Sequence, residues 1–295
     1  MEIGIHLPHI GPLATREGIT AFAKLAEEYE FDSLWVSDHV VMPRKLSSRY
    51  PYSPDGNFPV PPDVPFLEPL STLLFAAAVT ERVKLGTTIL VIPMRNPIVT
   101  AKQLASLDVL SGGRLIVGVG SGWMEEEFQM LGAPFARRGA RTDEYIKLFK
   151  ALWTEENPSF QGKFWQIDEV GFAPKPLQRP HPPIWTGGHS APALRRAGRL
   201  ADGWHAAYVG ADLLREQYQE VQRHAQEAGR DPSSVALSIR TRLPLNDPPA
   251  AIDQIQALRD VGASHIVVEV FTAELEQARS LMDVLANEIR PKAVG

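Results

Sequence analysis

Residues 37–39 read Ser-Asp-His, directly after the apolar run Ser33-Leu34-Trp35-Val36. Asp38 and His39 form a carboxylate–imidazole pair of the kind acid–base catalysis uses, and histidine can give or take a proton near neutral pH. Such a pair at the end of a buried segment has two explanations: the strand is meeting solvent, or it ends in a pocket. Other β-like segments end in the same polar way. His6 and His9 stand at the end of the first. Thr87 and Thr88 lie inside "VKLGTTILV", Ser121, Gly122 and Trp123 follow "RLIVGVG", and Gly187, Gly188, His189 and Ser190 close "PIWTGGHS". If these strands run parallel, their ends share one mouth, and the solvent explanation has to be used five times.

The spacing narrows the chemistry. His6 and His9 are three apart with Pro8 between them, whereas ligands on one face of a strand sit two apart. No His-x-His or His-Glu-x-x-His occurs, so no metal site is expected. There are no cysteines, which excludes disulfides, thiolate metal sites and cysteine nucleophiles. "GVGSGW" has Trp123 where the third glycine of a dinucleotide fingerprint would stand, and no acidic residue closes a second strand about 20 residues later. Its glycines suit a strand end that lets something flat approach the backbone. In "TGGHS" the glycines and helix-start amides could hold an anion, with Ser190 capping the helix or binding a phosphate oxygen; a plain turn explains the motif equally well.

The elements that must position these residues alternate along the chain. "IGIHLP" reads as a strand and "REGITAFAKLAEEYEF" as a helix with Ile19, Phe22, Ala23, Leu25 and Ala26 on one face. The same alternation continues through a strand over 83–91, a helix opening at Thr142 and a closing helix "ELEQARSLMDVLANEI". Eight strand–helix pairs predict a single α/β domain over 1–295, a (β/α)8 TIM barrel, for which about 250 residues is usual. Two interruptions stand out: a Pro-rich, aromatic, lid-like loop over 42–66 on the face where barrel active sites lie, and a small hairpin insertion over 156–182 before strand 5. Net charge is −5 without a Lys/Arg block, so neither nucleic acid nor an anionic membrane is an expected partner. The apolar runs fall far short of the roughly 20 residues of a membrane span, and "MEIGIHLP" lacks the pattern of a signal peptide. A cytoplasmic protein is expected.

The chain resembles the luciferase-like, flavin- or deazaflavin-dependent oxidoreductases, and most closely their coenzyme F420-dependent branch. The resemblance rests on "FDSLWVSDHVVMP", "RVKLGTTILVIPMRNPIVTAKQLASLDVLSGGRLIVGVGSGWMEEEFQMLG", "PFARRGARTDEYIKLFKALW", "PPIWTGGHS" and "GRLADGW". It implies a hydride transfer between F420 and a small organic substrate in a luciferase-like barrel. It also implies a non-prolyl cis peptide at Thr88–Ile89 supporting the coenzyme's middle ring. Asp38 would bond the coenzyme's polar end or orient His39, and His39 would transfer the proton. His6, Thr87, Thr88 and Ile89 would belong to the coenzyme site, with Trp123 shaping the cavity. Ser121, Gly122, Gly187, Gly188, His189 and Ser190 would line the ribityl-phosphate path. In the sugar-phosphate-oxidising relatives a glutamate acts as an acid at the position of Trp123, so that substrate chemistry is not expected here. Glu125, Glu126 and Glu127, at a helix start, read as solvent-facing groups matched to the helix dipole. Two other functions stay open: an FMN-dependent two-component monooxygenase fed by a partner reductase, and a non-catalytic flavin-binding barrel. The resemblance also implies a homodimer.

Overall fold

The eight strands whose ends carry those residues close on themselves. In the computed structural model, which describes residues 1–294, they are β1 (Glu2–His6), β2 (Ser33–Val36), β3 (Lys84–Thr87), β4 (Leu115–Gly120), β5 (Ile184–Gly187), β6 (Gly203–Ala207), β7 (Ala236–Thr241) and β8 (His265–Val268). Gly295 lies outside the described residues. Every barrel pairing is parallel. β1 is flanked by β2 and β8, the order runs on through β7, β6 and β5 to β4, and β4 returns to β3 with Leu85 opposite Leu115. The result is a closed (β/α)8 barrel with all eight carboxyl ends at one mouth.

The helices pack around it as α1 (Arg16–Glu28), α2 (Pro69–Val79), α3 (Pro97–Leu110), α4 (Glu125–Met130), α5 (Arg138–Thr154), α6 (Ala191–Leu200), α7 (Ala211–Glu227), α8 (Pro248–Asp260), α9 (Leu275–Asp283) and α10 (Arg290–Val294). Their starts follow capping chemistry: Thr15 Oγ1 accepts from Gly18 N at 3.0 Å ahead of α1, and Asn96 caps α3 with Pro97 in its first turn. The apolar stripe of α1 is buried against the barrel wall.

Inside the barrel, inward positions alternate along each strand. Trp35 from β2 and Trp185 from β5 stack with ring centres 5.5 Å apart, and His205 from β6 stacks on Trp35 at 5.2 Å with its ring nearly parallel. Small residues opposite make room: a Cβ on Gly86 would sit 2.4 Å from the Trp35 ring, and one on Gly203 2.6 Å from that of Trp185. Trp35 is therefore part of the barrel core and not of the cavity wall.

Three boundaries differ from the sequence reading. The strand expected over 83–91 is interrupted at a cis Thr88–Ile89 peptide, after which Leu90–Val91 pairs with the end of β4. The helix expected to open at Thr142 begins at Arg138, because the Thr142 hydroxyl turns inward to Arg138 O and Ser121 Oγ rather than capping. The closing helix passes through a π-helical turn, Val284–Ile289, before α10. Segment 42–66 holds no helix or strand and is pinned at its end by a bridge between Ile10 and Phe66. Within 156–182, Phe160–Gln161 and Gln166–Ile167 form a short antiparallel hairpin. Among the described residues no helix is long and apolar enough to cross a membrane.

Candidate active site

A cavity of about 850 Å³ opens at the mouth, walled on one side by the 42–66 loop. His39 stands in this wall, largely buried, with its ring edge against Phe58 and Phe66 and 6.0 Å from Trp123. Its Nδ1 lies 2.7 Å from Glu127 Oε2. A carboxylate can only accept there, so Nδ1 carries a proton, and whenever the ring is neutral Nε2 is its acceptor. Nε2 has no protein partner among the described residues.

Glu127 is only 1 % exposed, and its other oxygen accepts from the backbone N–H groups of Val40 and Val41 at 2.6 and 3.2 Å. Glu126, next in sequence, accepts from Ser47 and Ser48 N–H at 2.7 and 3.0 Å. Desolvation raises the Glu126 carboxyl, but these bonds and the Ser48 hydroxyl outweigh it and hold the group down at about 2. These two residues are not a solvated, dipole-matched face. Glu127 orients the imidazole, and both carboxylates fasten the first turns of the loop to α4.

Asp38 takes a different place from the one expected. Its oxygens accept from Arg95 Nη2 at 2.7 Å, from Arg95 Nε at 3.3 Å and from Val91 N–H at 2.8 Å. The carboxylate is buried at the cavity wall with its lone pairs engaged, so it ties β2 to the segment that follows the cis peptide. Orientation of His39 falls to Glu127. Sequence spacing carried a signal for this: Glu127 lies three residues after buried Met124 and one before buried Phe128, on the inward stripe of α4.

The other expected residues divide. Thr88, Ile89, Ser121, Gly122, Trp123, Gly187, Gly188, His189 and Ser190 all border the cavity. His6 and Thr87 do not. His6 Nε2 bonds the Ser37 hydroxyl at 2.8 Å and supports it from behind, and Thr87 donates to Gly118 O. His189 is at the wall, but its nitrogens are held by Gln217 Oε1 and by the Ala207 backbone. Gly188, at φ +106°, turns the chain into α6 with a conformation that favours glycine, and the Ser190 side chain makes no capping bond. Arg137 and Arg138 line the same end, with Arg138 Nε on Gly122 O at 3.0 Å.

Opposite lies a cluster that the sequence reading missed. Arg240 donates to Ser37 Oγ at 2.8 Å and to Thr88 O at 3.2 Å, and it pairs with the buried Glu269, which also receives Arg242 and the Tyr208 hydroxyl. Strand alternation pointed there. Arg240 is two residues beyond inward Ser238, and Glu269 is four beyond inward His265. Among the described residues no group of three or more metal-ligating side chains comes together.

A barrel with a ring-sized cavity at its carboxyl-end mouth, an oriented imidazole in the wall and arginines at one end has the layout of a cofactor-using oxidoreductase. The chain belongs to the luciferase-like monooxygenase family, whose profile matches residues 2–292. That family consists of oxidoreductases and monooxygenases. The chain is 33 % identical over 235 residues to an F420-dependent glucose-6-phosphate dehydrogenase of Kineococcus radiotolerans, covering 78 % of this chain and 64 % of that one. It is 37 % identical over 155 residues to an FMNH(2)-dependent dimethylsulfone monooxygenase of Pseudomonas putida, covering 52 % and 42 %. The solved structure of the coenzyme F420-dependent tetrahydromethanopterin reductase of Methanopyrus kandleri superposes with a TM-score of 0.77 over 98 % of both chains, at 18 % identity. Relatives thus use F420 or FMN.

Proposed function

We propose that this protein transfers a hydride between the deazaflavin coenzyme F420 and a small organic substrate. The observation that carries the reading is His39, fixed by Glu127 and presenting Nε2 as an acceptor at the wall of the cavity. The F420-dependent relative supports the choice of coenzyme, since it matches 78 % of the chain against 52 % for the FMNH(2)-dependent one.

The residues present fit such a group. The loop aromatics and Trp123 offer apolar faces to a flat ring, and the other end offers Gly187, Gly188, Ser190 and Arg138 to a phosphate. Thr88, Ile89, Ser121 and Gly122 would border the ring. When bound, the coenzyme supplies the redox chemistry. The chain's part is to hold the substrate beside it, to exclude water with the 42–66 loop, and to move a proton at His39 Nε2. With Glu127 holding Nδ1–H, Nε2 takes a proton from a substrate hydroxyl during oxidation and returns it during reduction. Glu127 stabilises the imidazolium in between.

The FMN-dependent monooxygenase, supplied with reduced flavin by a partner reductase, is the second reading, favoured by the Pseudomonas relative. Titration with oxidised F420 and, separately, FMN while following Trp fluorescence tests both, because Trp123 borders the cavity and a bound ring quenches it. Tight F420 and weak FMN binding is the expected result; the reverse promotes the monooxygenase. His39→Ala separates either from a non-catalytic carrier: an enzyme loses turnover and keeps binding, and unchanged turnover overturns the role given to His39.

A further inference from the structure

Beneath the cavity a file of polar side chains crosses the barrel core, and the proposed reaction does not use it. It starts at the Trp35 indole, whose Nε1–H donates to Ser33 Oγ at 2.8 Å. Ser33 Oγ is 2.8 Å from His265 Nε2, and His265 Nδ1 is 3.2 Å from Ser238 Oγ. Ser238 Oγ is 2.9 Å from His205 Nδ1, and His205 Nε2 is 2.8 Å from Thr88 Oγ1, which borders the cavity. Ser33 and Ser238 are fully buried, and the two histidines nearly so.

We infer that this file is polarised, with every hydrogen pointing from the Trp35 indole towards the cavity, so that the Thr88 hydroxyl is held as a hydrogen-bond donor to the ring of a bound coenzyme.

The reasoning starts at the closed end. An indole N–H can only donate, so Ser33 Oγ is an acceptor there, and its own hydrogen has a single acceptor in reach, His265 Nε2. Run the other way, His265 would donate to Ser33, and a fully buried hydroxyl hydrogen would have no partner, an arrangement that buried groups avoid. With Nε2 accepting, His265 carries its proton on Nδ1 and donates to Ser238. Ser238 then donates to His205 Nδ1, and His205 donates from Nε2 to Thr88. Burial, and after it the charge of Arg240, brings His205 down to about 3; burial also depresses His265. Both rings are therefore neutral, with one donor and one acceptor each, as a one-way file needs. Thr88 Oγ1 accepts from His205 and has only the cavity side left for its hydrogen. Arg240 and Val36 hold the Thr88 backbone at O and N–H, which fixes where that hydrogen aims. The group it suits is an acceptor on a flat ring, a carbonyl oxygen or an unprotonated nitrogen. Ser33, His265, Ser238 and His205 are positioning residues that act through Thr88.

The ligand half of this inference rests on the proposed function; the polarity does not. Two-bond 15N–1H correlation spectra of the full, coenzyme-free chain labelled at histidine read the tautomers directly. The expected pair is His205 protonated at Nε2 and His265 at Nδ1. The opposite pair overturns the polarity. Titration with oxidised F420 or FMN then reads the donor: Thr88→Val should weaken binding about tenfold, the worth of one hydrogen bond, and Thr88→Ser should restore it. Unchanged affinity in Thr88→Val overturns the donor role. If the wild-type chain binds neither coenzyme, the proposed function falls, and the tautomer pair still decides the polarity.

Discussion

Lowering the pH from 7.5 to 5.5 should destabilise this barrel steeply, and the size of the effect follows from its interior. His6, His9, His205 and His265 are buried, and desolvation first of all lowers their pKa values: His9 falls to about 4 and His205 to about 3, with His6 and His265 also well below the usual histidine value. In the unfolded chain all four return to about 6.5. Between those limits the unfolded state binds protons that the folded state refuses. The stability that neutral histidines contribute is complete above about pH 7 and is lost as pH falls through 6.5. At pH 5.5 each site has lost about 1.4 kcal/mol relative to pH 7.5, so four together approach ~5 kcal/mol, comparable to the whole stability of a modest domain. The assay is urea unfolding at pH 7.5, 6.5 and 5.5, read as a midpoint because a chain of this size can unfold through intermediates. Fluorescence of the buried Trp35, Trp185 and Trp204 reports the core. The midpoint should drop at each step, and His265→Gln should remove about a quarter of the pH dependence. A midpoint that does not move between pH 7.5 and 5.5 would refute the claim that these rings are buried and neutral.

Other outcomes test the site. In Glu127→Gln the side-chain amide donates to His39 Nδ1, pushing the proton to Nε2 and removing the acceptor from the cavity. With a charge-assisted bond of about 1.5–3 kcal/mol lost from the imidazolium, turnover should fall roughly 10- to 100-fold at near-normal coenzyme affinity, and unchanged turnover would remove Glu127 from the mechanism. Asp38→Asn strips the partly buried Arg95 of its main charged partner at a buried site and should cost about 3–5 kcal/mol, seen as a lower Tm; full stability with lost turnover would instead make Asp38 a catalytic residue. Glu126→Ala frees the Ser47 and Ser48 amides and should speed protease cleavage within 42–66, with the barrel left folded. We propose a homodimer, in keeping with the exposed Leu74 of α2 and Val99 and Leu110 of α3; light scattering showing a monomer at micromolar concentration would reject it.

The barrel was legible because its signals are periodic and local. Alternating strands and amphipathic helices repeat often enough that one misjudged boundary, such as Thr142 for Arg138, does not alter the topology. The cavity border was legible for a related reason: parallel strands bring Thr88, Ser121 and Gly188 to one mouth whatever their separation in sequence. The partners of those residues were not legible. Whether Asp38 meets His39 or Arg95 depends on where the chain goes after Ile89, and nothing in "SDH" encodes that path. Glu127 and Arg240 were within reach, since one interrupts a buried helical stripe and the other continues an inward strand face. Both looked unremarkable because a charge near the end of an element is expected to face water.

The arrangement of the two glutamates links the base to the loop. Glu127 holds His39 with one oxygen and the backbone at Val40 and Val41 with the other, while Glu126 holds the backbone at Ser47 and Ser48. The same six-residue helix therefore sets the tautomer of the imidazole and the starting direction of the segment that walls the cavity. A loop displaced at residues 40–48 would take hydrogen bonds from the carboxylate that orients His39. In the proposed reaction the placing of the loop and the orientation of His39 are therefore coupled, and a variant that loosens the loop should lose turnover even where it touches no ligand.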